Sequence, residues 1–388
     1  MNQLSHSQLQ TLAKKSSFPC ISIYMPAEKL GAETRKNHLI FKNLLKEAEA
    51  KIEKLGDSAQ SITDSLESAK SYIENNDFWQ HQNYGLAFFI SAEGIEYYRL
   101  ESSFDQLVRV SDRFYLKPLF PLFNNNSRYY LLGLSQNKVR FFSGTTYSIE
   151  ELGLPTSVPP SLAEALKYDD PEKQTQYHTG DAGGSPVYHG QGVGTTDNKD
   201  EIIRFFHQID NGLQKALGAE NTPLILAGVE YLLAMYREIN SYPHLVEKEI
   251  TGNPENVKLD DFQQQAGEII KSLIASEKQS AMDEYLQRSA TDESTDKIEE
   301  IIPAAVNGQV DTLFVAENAQ KWGKFDSQAN KLEIHDQANQ DSVDLLDYAA
   351  GNTFLQGGKV YILQPEQMPE NQMVVATLRY PVYASANK

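Results

Sequence analysis

The chain has 388 residues, of which 40% are hydrophobic and 23% charged, so an extensively disordered protein is excluded. At roughly 150 residues per domain, this length predicts two or three domains. The formal net charge of −18 argues against general, sequence-independent binding to nucleic acid, although docking through one locally basic patch stays open.

The cysteine content and the apolar runs bear on the compartment. A single cysteine, Cys20, excludes disulfides within the chain and any cysteine-based zinc or iron–sulfur site. The start, Met1 to Lys15, has no apolar core of a signal peptide, and runs such as Leu224–Val229 are too short to span a bilayer. We therefore expect a cytoplasmic protein.

The first third is the least acidic, with a net charge of −1 for residues 1–126, against −8 for 127–280 and −9 for 281–388. Phe18–Met25 alternates like a strand, and Tyr84–Ser91 with Ile95–Leu100 is typical of a β-hairpin. Apolar spacing predicts an amphipathic helix over about 34–55. Asp112–Phe123 carries two prolines and is expected to lead out of this domain.

The middle third begins with a second hairpin, Arg128–Leu134 and Lys138–Ser143. Pro155–Gly194 is rich in Gly, Pro, Ser, Thr and Asp, which predicts a long excursion with one short helix. The next helix should begin at Asp197 as its N-cap and bury Ile202, Phe206, Ile209, Leu213 and Leu217. A buried strand (Pro223–Val229), the helix Glu230–Ile239 and a last helix over about 260–288 follow.

The last third alternates helices and strands. The pattern predicts helices Lys297–Val306 and Asp341–Gly351, and strands Thr312–Val315, Lys359–Leu363 and Val374–Tyr380. Such alternation indicates a sheet covered by helices, so the chain is assigned to the α/β class, more broadly an α+β multidomain protein.

The most unusual segment is the glycine-rich run Gly183–Gly194. A phosphate cradle before a helix is one interpretation, but the run lacks the Lys-Ser/Thr of a P-loop, and an exposed flexible loop is the other. His178, Asp181 and His189 do not have a recognised ligand spacing, and Asp169–Glu172 fits a solvated turn better than a metal site. We predict no metal and no cofactor.

Seven segments in a fixed order resemble one family. They are ISIYMP, ETRKN, GLAFFISAEGIEYY, LGLSQNKVRFFSG, YHGQG, ILAGV and AAVNGQVDTLFVAEN. Together they resemble the class-I release factor and Pelota superfamily, and more closely the bacterial archaeo-eukaryotic release-factor-like family, which includes the hibernation factor Balon.

The resemblance implies three domains. Residues 1–126 would form an N-terminal α/β domain for the decoding centre, and residues 127–280 a ribonuclease-H-like domain whose loop reaches the peptidyl-transferase centre. Residues 281–388 would form an αβα domain that contacts translational GTPases.

The chain departs from the family's two functional motifs. Release factors carry Gly-Gly-Gln, whose glutamine places water on the peptidyl-tRNA ester, whereas this chain has His189-Gly190-Gln191-Gly192-Val193-Gly194. With His189-Gly190 aligned to the family's His-Gly, the catalytic position falls near Gly194, and Gln191 is displaced by three residues. Arg35-Lys36-Asn37-His38 stands where the stop-codon reader Asn-Ile-Lys-Ser would be. Codon-specific termination is therefore not expected.

A ribonuclease-H-type nuclease is not expected either. Such enzymes need a carboxylate on the first strand to hold Mg²⁺, and Tyr129–Gly144 contains neither Asp nor Glu.

We therefore expect a non-catalytic, ribosome-binding factor that occupies the A site without reading a codon, in hibernation or protection, or in rescue of stalled ribosomes. The alternatives are a peptidyl-tRNA hydrolase that uses Gln191, and a stress-linked protein that does not bind ribosomes. The expected partners are the ribosome and, as a second partner, elongation factor Tu or another translational GTPase, and no membrane is expected. The residues expected to contact ribosomal RNA are Arg35, Lys36, Asn37, Lys42, Lys46, Tyr188, His189, Gly190, Gln191, Gly192 and Gly194. For the basic helix, simple solvation is an equal alternative.

Overall fold

The computed structural model describes residues 4–28, 34–123, 128–169, 194–218, 221–289, 291–339 and 342–381. Its contacts divide the chain into two compact units. One unit combines Met1–Asn124 with Glu277–Lys388, and the other is Asn125–Ser276. The mixed α/β class is confirmed, because each third of the chain contributes its own sheet and helices. The borders of the three domains stay a prediction.

The N-terminal segment of the first unit is built on one antiparallel sheet with the strand order β3-β2-β1-β4. Its elements are α1 (His6–Lys14), β1 (Ser16–Pro26), α2 (Thr34–Glu53), α3 (Thr63–Lys70), α4 (Asn76–Gln80), β2 (Gly85–Ser91), β3 (Gly94–Leu100) and β4 (Leu107–Arg113). Strand alternation sends Ile21 and Ile23 to the face covered by α2, α3 and α4. Cys20 and Tyr24 point to the opposite face, where both are buried in a second core cluster.

The second unit contains a five-stranded sheet with the order β7-β6-β5-β8-β9. Its elements are β5 (Arg128–Leu134), β6 (Arg140–Thr145), β7 (Ile149–Leu152), α5 (Leu162–Asp169), α6 (Gly194–Leu217), β8 (Leu224–Gly228), α7 (Glu230–Ile239), β9 (Ile250–Thr251) and α8 (Leu259–Arg288), whose last part, from Glu277, belongs to the first unit. Strands β5, β8 and β9 are parallel, whereas β6 and β7 are antiparallel to their neighbours. Helices α5, α6 and α7 cover one face, and α8 covers the other.

The C-terminal segment returns to the first unit and contains two sheets, with the strand orders β10-β16-β11-β15 and β13-β12-β14. Its elements are β10 (Ser294–Thr295), α9 (Ile298–Val306), β11 (Val310–Ala316), β12 (Trp322–Asp326), β13 (Lys331–His335), β14 (Val343–Asp344), α10 (Leu345–Leu355), β15 (Lys359–Leu363) and β16 (Val374–Leu378). Asp344 is the N-cap of α10, so this helix begins four residues later than the predicted Asp341.

The N-terminal and C-terminal segments share one hydrophobic core. Leu9, Leu12 and Tyr24 belong to the same buried cluster as Leu313 and Ala349. The segment that we expected to lead out of the first domain contributes to this core. It forms the 3₁₀ helix Lys117–Leu122, in which Leu119 and Phe120 are fully buried. No helix in the described ranges is long and apolar enough to cross a membrane.

Candidate nucleic-acid interface

Helix α2 buries one face and exposes the other. Its apolar side packs on the sheet through Phe41, Leu44, Leu45, Ala48 and Ile52, all in one core cluster. Leu39, Lys42 and Lys46 are spaced by three and four residues, which places them on one helical face, and all three are exposed. Leu39 keeps 52% of its surface accessible.

The exposed lysines of this face differ from the other lysines nearby. Lys51 pairs with Glu47 at 2.7 Å, and Lys70 pairs with Glu49 at 2.8 Å. Among the described residues, no carboxylate lies within ion-pair distance of Lys42 or Lys46. Two exposed ammonium groups on one helical face, neither of them in an ion pair among the described residues, can attract an anion such as a phosphate group.

The start of α2 adds further positive charge to this helix. Its first turn contains no acidic residue but does contain Arg35 and Lys36. Cations are unfavourable at a helix N-terminus, because the helix dipole already places partial positive charge there. The two cations therefore lower the stability of the helix, and a bound anion would offset this loss. The side chain of Lys36 is exposed, and that of Arg35 lies outside the described residues.

Asn37 has a structural role, which corrects its assignment to the RNA-contacting residues. Its side chain is fully buried, and its Oδ1 accepts a hydrogen bond from the backbone N–H of Glu28 at 3.0 Å. Its Nδ2 donates to the carbonyl oxygen of Glu28, also at 3.0 Å. With both ends of the amide engaged, Asn37 anchors the chain after β1 to the start of α2.

The predicted loop residues Tyr188, His189, Gly190, Gln191 and Gly192 lie outside the described residues. Gly194 is the first residue of α6, so the prediction that Asp197 caps this helix is wrong, and Asp197 lies inside it. The glycine-rich run therefore ends directly at a helix N-terminus.

Helix α6 is fixed by its packing on the middle sheet. Ile202, Phe206 and Ile209 are buried as predicted, with at most 4% of their surface exposed. The ring of Phe206 meets that of Tyr236 edge to face at 5.5 Å. His207, the residue after Phe206, is exposed and takes no part in this packing.

Strands β5 and β6, which carry no carboxylate between Tyr129 and Gly144, contribute side chains to two core clusters. Tyr129, Leu131 and Phe142 point into one core cluster, whereas Leu132 and Phe141 point into the other. In the described ranges, no three His, Cys, Asp or Glu side chains are grouped so that they could hold a metal ion. Both faces of these strands are therefore used for packing.

One buried ionic cluster could not be found from the sequence. Asp347 Oδ1 accepts hydrogen bonds from the backbone N–H groups of Leu116 and Lys117, at 2.8 and 2.6 Å. Lys117 Nζ donates to the carbonyl oxygen of Ala319 at 2.5 Å and lies 3.8 Å from Asp344 Oδ2. This cluster joins the N-terminal segment to the C-terminal segment within the first unit.

Burial dominates the protonation of this cluster. Desolvation, then repulsion from Asp344, raises the pKa of Asp347 to about 7. Desolvation also lowers the pKa of Lys117, although the two carboxylates oppose that change. The cluster is therefore held at a cost in its charged form, which is typical of buried ion pairs.

Residues 129–272 match the sequence model of Bacterial archaeo-eukaryotic release factor family 7. The match covers the strands β5–β9, the helices α5–α7 and much of α8, and it includes the glycine-rich run. It confirms the resemblance to the bacterial archaeo-eukaryotic release-factor-like family over the middle of the chain, where three of the seven sequence segments lie. Among curated proteins there is no match.

Several solved structures are similar over much of the chain. A model of ribosome-bound archaeal Pelota and ABCE1 is 11% identical, with 98% of this chain and 96% of that chain covered and a TM-score of 0.41. Dom34 of S. cerevisiae is 12% identical, with 74% and 77% covered and a TM-score of 0.39. Archaeoglobus fulgidus Pelota is 12% identical, with 99% and 95% covered and a TM-score of 0.32. At TM-scores this low the likenesses carry no further conclusion.

Proposed function

We propose that this protein is a ribosome-associated translation factor of the release-factor-like type, which occupies the A site without reading a codon. The observation that carries the proposal is the match of residues 129–272 to the release-factor family model. The role would be hibernation or protection of idle ribosomes, or rescue of stalled ones. Elongation factor Tu or another translational GTPase is the partner class that fits such a role.

The exposed face of α2 supports docking on RNA. Lys42 and Lys46 have no ion-pair partner in the described part of the chain, and Lys36 is exposed in the first turn of the same helix. Phosphate contacts by Lys and Arg dominate the affinity of proteins for nucleic acids. Confined to one helix, such contacts are compatible with a net charge of −18.

The glycine-rich run supports a positioning role rather than a chemical one. Gly190 and Gly192 flank Gln191, and glycine lets a backbone approach RNA closely because no Cβ intervenes. Gln191 stands three residues before the position at which the family's catalytic glutamine would fall. The competing candidate is peptidyl-tRNA hydrolysis with Gln191 orienting the water.

A paired experiment separates the two candidates. Wild type and Gln191→Ala are tested for co-sedimentation with purified ribosomes and for release of peptide from ribosome-bound peptidyl-tRNA. We expect binding by both proteins and release by neither. Release that is lost in Gln191→Ala with binding retained would establish the hydrolase instead.

Variants of the two glycines add a second part to the co-sedimentation experiment. Replacing Gly190 or Gly192 by Val should weaken co-sedimentation, because a branched side chain would separate the backbone from RNA. The matched control is Ser185→Val in the same run. Equal binding by the Gly variants and wild type would show that the run does not contact the ribosome.

A further inference from the structure

A cavity in the C-terminal segment is the feature that the proposed function leaves unused. It has a volume of about 610 Å³ and is bounded by the end of α8, the residues that follow it, the start of α9 and the 3₁₀ helix Pro369–Asn371. That volume falls in the range of small-molecule sites. All of its walls belong to one compact unit.

The lining is strongly acidic. Asp292, Asp296, Glu300 and Glu370 contribute four carboxylates, against one cation, Lys297. Glu300 is already engaged, since it pairs with Lys297 at 3.1 Å and accepts a hydrogen bond from Thr295 at 2.6 Å. Asp296 accepts one hydrogen bond, from Gln372 at 3.0 Å. The remaining oxygens of Asp292, Asp296 and Glu370 can receive further donors.

A buried tyrosine supplies an observation that is independent of the charges. Tyr285 lines the cavity with only 7% of its surface exposed, and none of the described residues forms a hydrogen bond with its hydroxyl group. Burial, followed by the charges of Asp296 and Glu370, raises the pKa of this hydroxyl. A phenol that lines the cavity without a hydrogen-bond partner from the described residues is available to a ligand there.

The cavity lining favours an organic cation over a metal ion. A divalent ion needs ligands that converge on one point, and no group of three such side chains in the described ranges could hold one. The same cavity wall includes Leu286, which is 51% exposed, and this apolar surface suits the methylene chain of an alkylamine.

We infer that this cavity binds a ligand with two or more alkyl ammonium or guanidinium groups. Its nitrogens would donate to Asp296, Glu370 and the Tyr285 hydroxyl, and its methylene groups would lie on Leu286. The chemistry is shared by free polyamines and by lysine- or arginine-bearing peptides. The inference does not rest on the ribosomal role.

The test is calorimetric titration of the full chain at low and moderate salt with two probes, spermidine and a tri-arginine peptide. The cavity variants are Tyr285→Phe, which removes only the hydroxyl group, and the double variant Asp296→Asn with Glu370→Gln. The matched control is Asp105→Asn with Glu74→Gln, which removes the same charge from two exposed sites elsewhere. A thermal melt of each variant confirms folding.

We expect one-site binding by wild type, about tenfold weaker in the double cavity variant, several-fold weaker in Tyr285→Phe and within twofold in the control. Binding of spermidine alone would assign the free polyamine as the source, and binding of the peptide alone would assign a basic protein segment. Absence of binding by both probes would overturn the inference. So would equal weakening in the cavity and control variants, because binding would then be a property of the overall negative charge.

Discussion

At the residue scale, the protein places polar side chains where they tie distant segments together. Asn37 holds the chain after β1 through both ends of its amide. Asp347 ties two segments of the first unit together, because its carboxylate accepts hydrogen bonds from the backbone N–H groups of Leu116 and Lys117. Because Asp347 is fully desolvated, its protonation is coupled to the stability of the contact between the N-terminal and C-terminal segments.

Asp347 predicts a particular dependence of stability on pH. Its pKa is about 7 in the folded chain and about 3.9 in an unfolded one, so the folded state binds the proton more tightly. The stabilisation is complete below the unfolded pKa and is lost as the pH rises through about 7, by up to about 4 kcal/mol. Asp347→Asn should flatten this part of the curve.

The measurement is the urea midpoint of wild type and Asp347→Asn between pH 5 and pH 8. Wild type should lose more stability over this interval than the variant does. Asp326→Asn is the control, because Asp326 is exposed and titrates well below the interval. Parallel curves for wild type and Asp347→Asn would show that Asp347 is ionised throughout.

At the element scale, amphipathic helices carry both the cores and the candidate interface. Helix α2 packs one face on the first sheet and leaves Leu39, Lys42 and Lys46 exposed on the other. Helix α6 packs on the middle sheet and begins where the glycine-rich run ends. Each helix therefore joins a buried core to residues that the proposed function uses.

The packing of α6 gives a stability prediction. Phe206 is fully buried against Tyr236, so Phe206→Ala should cost ~3–5 kcal/mol in the free energy of unfolding. The neighbouring exposed residue provides the control, and His207→Ala should change stability by less than about 0.5 kcal/mol. Chemical denaturation followed by circular dichroism measures both. Similar midpoints for the two variants would mean that the buried face of α6 is assigned wrongly.

Long periodic elements could be predicted from the sequence, whereas short and long-range features could not. The predicted helix Glu230–Ile239 has the predicted bounds, and the predicted strand Lys359–Leu363 does as well. Helix α1 and the hairpin of β12 and β13 were missed, because nine and five residues hold too little periodic pattern.

The candidate site shows the same limit. The exposed lysines of α2 follow from helical spacing, since they lie opposite the apolar stripe. The burial of Asn37 could not be inferred, because its partner Glu28 belongs to an irregular segment. Lys117 and Asp347 are 230 positions apart, and nothing local in the sequence indicates that they meet.

At the scale of the whole molecule, the chain combines a strong net negative charge with one localised basic helix. The charge of −18 repels a polyanion at long range, so the proposed docking on ribosomal RNA would depend on few contacts and on ionic strength. The first and last thirds of the chain share one core, so the basic face belongs to a unit that also contains the acidic C-terminal segment.

Co-sedimentation with purified ribosomes tests the central claim most directly. The variant carries Glu in place of Arg35, Lys36, Lys42 and Lys46, and the control carries Glu at the exposed Lys258 and Lys324. We expect wild type and control to co-sediment at low salt and to dissociate as salt rises, and the α2 variant to remain in the supernatant. Ribosome binding by the α2 variant equal to that of wild type would contradict the proposed docking face, and failure of wild type to bind would contradict the ribosomal role itself.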